Sequence, residues 1–296
     1  MPDCATVVVF YEMQARLVDR MLLLAAAVLF STGGAAIKAT HLTGWQVASF
    51  RSGAGALALL ALSAEARRGW SWRVVPVGLA YAATLVLFVL ANKLTTAANA
   101  IFLQDAAPLY LVLLGPLLLR ERVRKAELVL LAVVAAGIAM FFIARETPVE
   151  TAPDPVRGNV LAVIAGLTWA LTIAGLRWLG SSYGASVANA PVVGNLLAFA
   201  ACLKMALPVS SVTWRDAAVI AYLGVVQIGL AYIFMTRALK RVRALEASLL
   251  LLLEPALSPM WAWLAHGERP AAWSLAGGGL ILGACLLYSY WQRDRA

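Results

Sequence analysis

Titratable chemistry is scarce in this sequence. It holds two histidines, His41 and His266, and three cysteines, Cys4, Cys202 and Cys285, in 296 residues. Neither histidine belongs to an H-E-x-x-H pattern, and no cysteine pair has metal-ligand or redox spacing. The common metal-centred, thiol-redox and histidine-assisted sites are thereby excluded, and the odd cysteine count argues against a disulfide framework. No catalytic residue, metal site or cofactor is assigned, and the cysteines are read as inert. Charge is scarce as well. Asp, Glu, Lys and Arg make up 13% of the residues, against roughly 25% in an ordinary soluble domain. With 62% apolar residues and a mean hydropathy of +0.82, the chain is too apolar for water and is read as mostly embedded in a lipid bilayer.

The net charge of +9 does not indicate a nucleic-acid partner. The basic residues sit in short segments between apolar runs, where they orient a protein in the membrane. Such runs fall near 21–40, 44–64, 72–92, 97–119, 126–143, 157–178, 185–207, 214–236, 243–265 and 271–290. Each approaches the roughly 20 residues that a helix needs to cross the hydrocarbon. The fold class expected is an all-α membrane protein with ten transmembrane helices. Residues 1–20 read as a weakly amphipathic cytoplasmic extension, without the layout of a removable signal peptide. A Pro- and acid-rich stretch over 144–156 reads as a linker between a first half, 21–143, and a second, 157–296.

The halves are related. A shift of 147 residues brings Ala97, Ala100, Leu103, Pro108, Leu117, Glu121, Arg122 and Leu128 onto identical residues of the segment Ala244 to Leu275. Each copy places proline 13 residues before glutamate, Pro108 before Glu121 and Pro255 before Glu268. Trp72-Arg73 opens span three as Trp214-Arg215 opens span eight. Five spans per half is an odd number, so the second copy must enter the membrane from the opposite side. Two five-helix inverted-topology repeats are expected. With the N-terminus inside, the cytoplasmic tails and loops carry more than twice as many Lys and Arg as the outer ones, which predicts both termini in the cytoplasm.

A charge at the bilayer centre costs at least about 2.5–3.5 kcal/mol, so polar residues deep in spans mark candidate function. Asp105 and Glu254 fall near mid-span beside the repeated prolines. Either they face a central cavity and bind substrate or a proton, or they satisfy backbone groups or pair with Arg51. They are not matched by the repeat, since Asp105 maps to Leu252 and Glu254 to Ala107, which disfavours a symmetric proton relay. Pro108 and Pro255 are expected to kink their helices and free carbonyls at midplane.

Helical spacing puts Asn99, Ala106 and Tyr110 on one face of span four and Gln104, Pro108 and Leu111 on another. Gly224, Gln227 and Ala231 form a stripe on span eight, Thr168, Thr172 and Gly175 on span six beside Trp169, and Tyr81, Leu85 and Phe88 on span three. Single stripes of this kind serve helix packing; several converging from duplicated spans point to a cavity. The substrate-binding set expected is Tyr81, Asn99, Gln104, Asp105, Tyr110, Trp169, Gln227 and Glu254. Lys38, near a span end, is expected to snorkel. Arg51 lies deeper and needs a carboxylate or carbonyl partner. The glycines of span ten, Gly277 to Gly279 and Gly283, offer a packing face suited to a monomer's interior or a weak homodimer.

Taken together, these residues resemble the drug/metabolite transporter superfamily, and within it the EamA-type ten-span carriers. The resemblance rests on Pro108 with Leu119-Arg120-Glu121, their copies at Pro255 and Glu268, Phe50-Arg51 and Lys38, and it runs from Met21 to about Trp291. The nearest branch by likeness is the YddG-type aromatic amino acid exporters. The resemblance implies alternating access around a cavity lined by spans one, three, four, six, eight and nine, in a bacterial inner membrane. Glu254 departs from it, since many members are neutral there. The function expected is export of small neutral metabolites, foremost amino acids including aromatic ones, with lipid as the surrounding partner. A sugar-nucleotide or other metabolite or drug carrier is the alternative, although a phosphate-bearing cargo would want several deep cations. An intramembrane enzyme lacks a clustered acid, base or metal site, and a channel lacks a charged ring.

Overall fold

A computed structural model describes residues 4–106, 109–110, 125–143, 147–183, 187–238, 242 and 250–293. Among these the regular structure is helical. The helices are α1 (Cys4–Ser31), α2 (Gly33–Lys38), α3 (Gly44–Leu62), α4 (Val74–Leu94), α5 (Ala97–Gln104) and α6 (Lys125–Ile143). Past the linker come α7 (Pro155–Tyr183), α8 (Asn189–Ala206), α9 (Trp214–Ala221), α10 (Ala231–Ala238), α11 (Leu253–His266) and α12 (Ala272–Arg293). Between α9 and α10 the chain keeps turning as a π-helix over Tyr222–Leu230. The N-terminal extension does not separate from the first span, because Cys4 to Ser31 is one helix.

Side-chain chemistry explains the helix ends. Thr43 caps α3 and Thr213 caps α9 in reciprocal capping boxes, with Gln46 and Asp216 reaching back to the cap N–H. Thr96 caps α5 by accepting from the Asn99 N–H. At the far end of α11, Gly267 takes φ of +65°, which turns the chain back and aims Glu268 inward.

Five described segments are long and apolar enough to cross a membrane: Leu17–Lys38, Val74–Leu94, Pro155–Gly180, Asn189–Ala206 and Trp214–Ala238. Residues such as Leu57, Leu79, Ile143 and Trp214 are large, apolar and exposed, as expected of surfaces solvated by acyl chains rather than water. The two halves of the sequence are packed into each other. α4 of the first half lies along α7 and α8 of the second, α3 lies along α8 and the π-helix, and α1 lies along α10 and α11. α6 and α12 pair with one another. Small residues permit the close crossings: a Cβ on Gly224 would sit 2.4 Å from the Ala54 Cβ and 2.8 Å from the Arg51 carbonyl oxygen.

Candidate functional site

The site begins at two matched interruptions of helix. α5 ends at Asp105, with φ −74° and ψ −1°, and α11 begins after Leu252, with φ −63° and ψ −10°. Ordinary helix has ψ of about −42°, so both residues are turned out of the helical path. They are the same position in the two repeats, 147 residues apart, each three residues before the repeated proline. Neither Pro108 nor Pro255 has the N–H that would close on the carbonyl four residues earlier, at Gln104 and Leu251, and the helical ladder fails there. Pro108 itself lies outside the described residues. Pro255 does not kink the middle of a helix, as expected from sequence. It sits in the opening turn of α11, where a missing donor is tolerated, and the proline within the helix proper is Pro259.

Gln104, Asp105, Leu251, Leu252 and Glu254 border a cavity of about 290 Å³. α1 contributes Phe30 and α3 contributes Arg51. Tyr81, Thr84, Leu85 and Phe88 come from α4, Trp169 and Ile173 from α7, Gln227 and Ile228 from the π-helix, Tyr232 and Met235 from α10, and Cys285 from α12. Six of the eight residues expected at the site therefore share one hollow: Tyr81, Gln104, Asp105, Trp169, Gln227 and Glu254.

Asn99 and Tyr110 do not line it. Asn99 is fully buried, donates to the Thr95 hydroxyl and the Asn159 Oδ1 at 3.2 Å each, and so joins α5 to α7. Asn159 in turn donates to the Phe141 carbonyl of α6 at 3.1 Å. Tyr110 donates to the Val163 carbonyl at 3.0 Å. The Asn99 amide N–H groups and the Tyr110 hydroxyl are thus committed to holding helices together. Helical spacing fixes which residues share a face but not which neighbour the face meets.

One wall is aromatic. Phe30 meets Tyr232 edge-on at 5.3 Å between ring centres, Tyr232 meets Tyr81 at 5.5 Å, and Tyr81 meets Trp169 at 6.4 Å. Ring edges and faces in these orientations attract one another, and the wall they form suits a further ring laid against it. The Thr84 hydroxyl donates to Thr168 at 2.9 Å, so the polar stripe of α7 serves mainly to bind α4.

Arg51 was noted in the sequence as a deep cation needing a partner. It is 2% exposed and donates from Nη2 to the Leu85 carbonyl at 3.1 Å. Its Nε has no hydrogen-bond partner among the described residues, and neither has the Oε1 of Gln104 or of Gln227. A guanidinium with unspent donors at the cavity wall suits a carboxylate. Phe30, Tyr232 and Cys285 also line the cavity without having been placed there from sequence. Tyr232 had the signal of a polar aromatic deep in a span. Phe30 and Cys285 had none, being ordinary members of apolar runs.

A second polar assembly lies toward one end of the molecule. Lys38 does not snorkel. Its Nζ is 2.7 Å from Glu268, with side-chain exposures of 3% and 2%. Lys38 also donates to the Thr95 carbonyl at 2.8 Å and to the Thr151 carbonyl, while Glu268 Oε2 accepts from the Ala97 N–H at 2.9 Å. A lysine this well supplied with acceptors has no reason to reach for water. The motif glutamate of the second repeat thus ties α2, the start of α5, the linker and the turn after α11 into one knot. In the same Glu-Arg pair Arg269 points outward. Around this knot His266 bonds the Ala35 carbonyl at 2.8 Å, the Trp261 indole donates to Ser31 at 2.9 Å, and Asp216 accepts from the Thr40 hydroxyl and the His41 N–H at 2.7 and 2.9 Å.

The architecture is shared with known proteins. The EamA-like transporter family matches the chain twice in tandem, over residues 20–143 and 156–290. Two relatives from Pseudomonas aeruginosa, strains UCBPP-PA14 and PAO1, are each named as the pseudopaline exporter CntI. Each is 27% identical over 279 residues, which cover 91% of this chain and 95% of the relative. A protein known from a crystal structure shares the fold with a TM-score of 0.62 at 21% identity, over 93% of this chain and 98% of that one. With two family matches spanning most of its length, the chain belongs to the EamA-like transporter family: it is a multi-pass membrane transporter of a small molecule and not an enzyme.

Proposed function

We propose that this transporter exports small amine- and carboxylate-bearing metabolites, foremost amino acids including aromatic ones, by alternating access around the central cavity. In this reading the chain has ten spans in two inverted five-helix repeats, and both termini lie in the cytoplasm of a bacterial inner membrane. The observation that carries it is the composition of the cavity. An aromatic wall of Phe30, Tyr232, Tyr81 and Trp169 stands beside one guanidinium, Arg51, and two carboxyl groups, Asp105 and Glu254. A zwitterion with an apolar or aromatic side chain has a counterpart for each of its parts: its carboxylate at Arg51, its ammonium at Asp105 or Glu254, and its side chain against the rings. The freed carbonyls at Gln104 and Leu251 are further acceptors for an ammonium group.

Export as the direction is supported by the relatives named as exporters. A nucleotide-sugar cargo is the weaker reading, because its phosphates would meet two carboxyl groups and a single cation. The test is counterflow in proteoliposomes, with labelled phenylalanine or tryptophan competed by a panel of amino acids, sugars and nucleotide sugars. Saturable exchange inhibited by amino acids alone is the expected result. Exchange inhibited only by nucleotide sugars, or chemical conversion of the label, overturns the reading. Asp105→Ala, Gln104→Ala and Trp169→Ala are each expected to lower exchange while the folded yield is retained. Wild-type rates in all three would remove the cavity from the transport path.

A further inference from the structure

The cavity holds one more carboxyl group than a neutral amino acid can use. Asp105 comes from the break at the end of α5 and Glu254 from the first turn of α11, so each half of the sequence supplies one acid. Neither is ion-paired among the described residues. The cation that the described residues bring to the lining is Arg51, 2% exposed, with one Nη2 N–H on the Leu85 carbonyl and Nε unpartnered. Tyr81, Tyr232 and Cys285 also line the cavity, but phenols and a thiol carry no charge at neutral pH. One positive group against two negative ones leaves the lining with a negative charge to spare. In a membrane-embedded hollow such a charge is costly until a cation meets it. A neutral amino acid does not change that balance, because its own carboxylate and ammonium cancel. Cargo with one additional ammonium group does. The rings point the same way: Tyr81, Trp169 and Tyr232 stand at 5.5 and 6.4 Å from one another in sequence around the wall, and aromatic faces attract ammonium groups as well as other rings.

We propose that the preferred cargo is a diamino acid, with one carboxylate and two ammonium groups joined by a short methylene chain, as in lysine and ornithine. The inference rests on the substrate reading above and names the class within it. The cargo carboxylate meets Arg51, one ammonium meets Asp105, the other meets Glu254, and the methylene chain runs along the rings of Tyr81, Trp169 and Tyr232. Each charge of the lining then has an opposite charge on the cargo. Neighbouring classes fit less well for stated reasons. A neutral amino acid leaves one carboxylate bare. A simple diamine leaves the guanidinium without a carboxylate, and a nucleotide sugar adds negative charge to a lining that already has too much.

The test uses the full chain in liposomes, with counterflow of labelled lysine and of labelled phenylalanine measured in parallel. The competitors change one charge at a time: lysine, ornithine and diaminobutyrate carry all three charged groups, Nε-acetyllysine and norleucine lack the second ammonium, and cadaverine lacks the carboxylate. The best diamino acid is expected to inhibit at a concentration roughly ten-fold or more below that of Nε-acetyllysine, norleucine or cadaverine, the factor that one charged hydrogen bond carries. Asp105→Asn and Glu254→Gln are each expected to shrink this ratio while eluting as folded, monodisperse species. Because the ratio is taken within each variant, a general loss of activity cancels. Glu65→Gln, at an exposed carboxylate in the loop after α3, is expected to keep the wild-type ratio. Norleucine or phenylalanine competing as well as the best diamino acid overturns the inference and leaves the substrate reading standing. An unchanged ratio in both carboxyl variants overturns the assignment of Asp105 and Glu254. If neither label exchanges against any of these compounds, the substrate reading falls and this inference falls with it.

Discussion

Arg51 shows how far a single buried charge constrains its surroundings. Its guanidinium spends one Nη2 N–H on the Leu85 carbonyl and leaves Nε with no acceptor among the described residues. Hydrogen bonds to charged groups contribute about 1.5–3 kcal/mol, or roughly ten- to a hundred-fold in an equilibrium constant. Arg51→Met is therefore expected to weaken amino acid exchange by that factor. Arg51→Lys is expected to restore only part of it, because an ammonium cannot present the planar fork. Half-saturation constants from counterflow measure both. Lys38 supports a different kind of test, since its partner is another charge rather than a ligand. Lys38→Met leaves Glu268 ionised and buried, a loss of about 3–5 kcal/mol, whereas Lys38→Met/Glu268→Leu removes both charges and is expected to recover most of the stability. Melting curves of the detergent-purified protein decide it. Equal destabilisation in the single and double variants would show that the pair is not what holds this end together.

At the scale of the element, the departures from regular helix are the informative parts. The breaks at Asp105 and Leu252 and the π-helix over Tyr222–Leu230 all border the cavity, and a wider or broken turn releases backbone groups that a regular helix would bury in its own ladder. The π-helix also brings Gly224 against the backbone of α3 at Arg51. Gly224→Ala must push α3 and the π-helix apart, at an expected cost of about 1–3 kcal/mol. Because the same contact sets where Arg51 and Gln227 sit, exchange is expected to fall along with the melting temperature. A variant that loses stability and keeps full exchange would separate packing from transport at this crossing.

For the whole molecule the question is how the two halves lie in the bilayer. The packing of α4 on α7 and α8, and of α1 on α10 and α11, encloses the cavity between sequence-related units rather than inside either one. If the units are inverted, residues matched by the repeat face opposite sides of the membrane. Single-cysteine labelling at Arg122→Cys and Arg269→Cys, in a background with Cys4, Cys202 and Cys285 replaced, is expected to react from opposite sides. Reaction from the same side would exclude the inverted arrangement and the alternating-access reading built on it.

The sequence by itself determined the solvent, the duplication and the depth of each polar residue. Depth is legible because a helix advances about 1.5 Å per residue, so distance from a span end is distance into the membrane. That was enough to single out Asp105, Glu254, Gln104, Gln227, Tyr81 and Trp169. It could not tell them from Asn99, near a span end, or from Tyr110, deeper in the same span, whose amide N–H and hydroxyl go to Asn159 and Val163. Nor could it pair Lys38 with Glu268, whose positions are far apart along the chain. The helices are apolar around most of their circumference, so periodicity carries almost no record of which face meets a neighbour, a lipid or a hollow. Only tertiary packing decides that angle, and with it which deep polar groups meet one another and which remain open to a substrate.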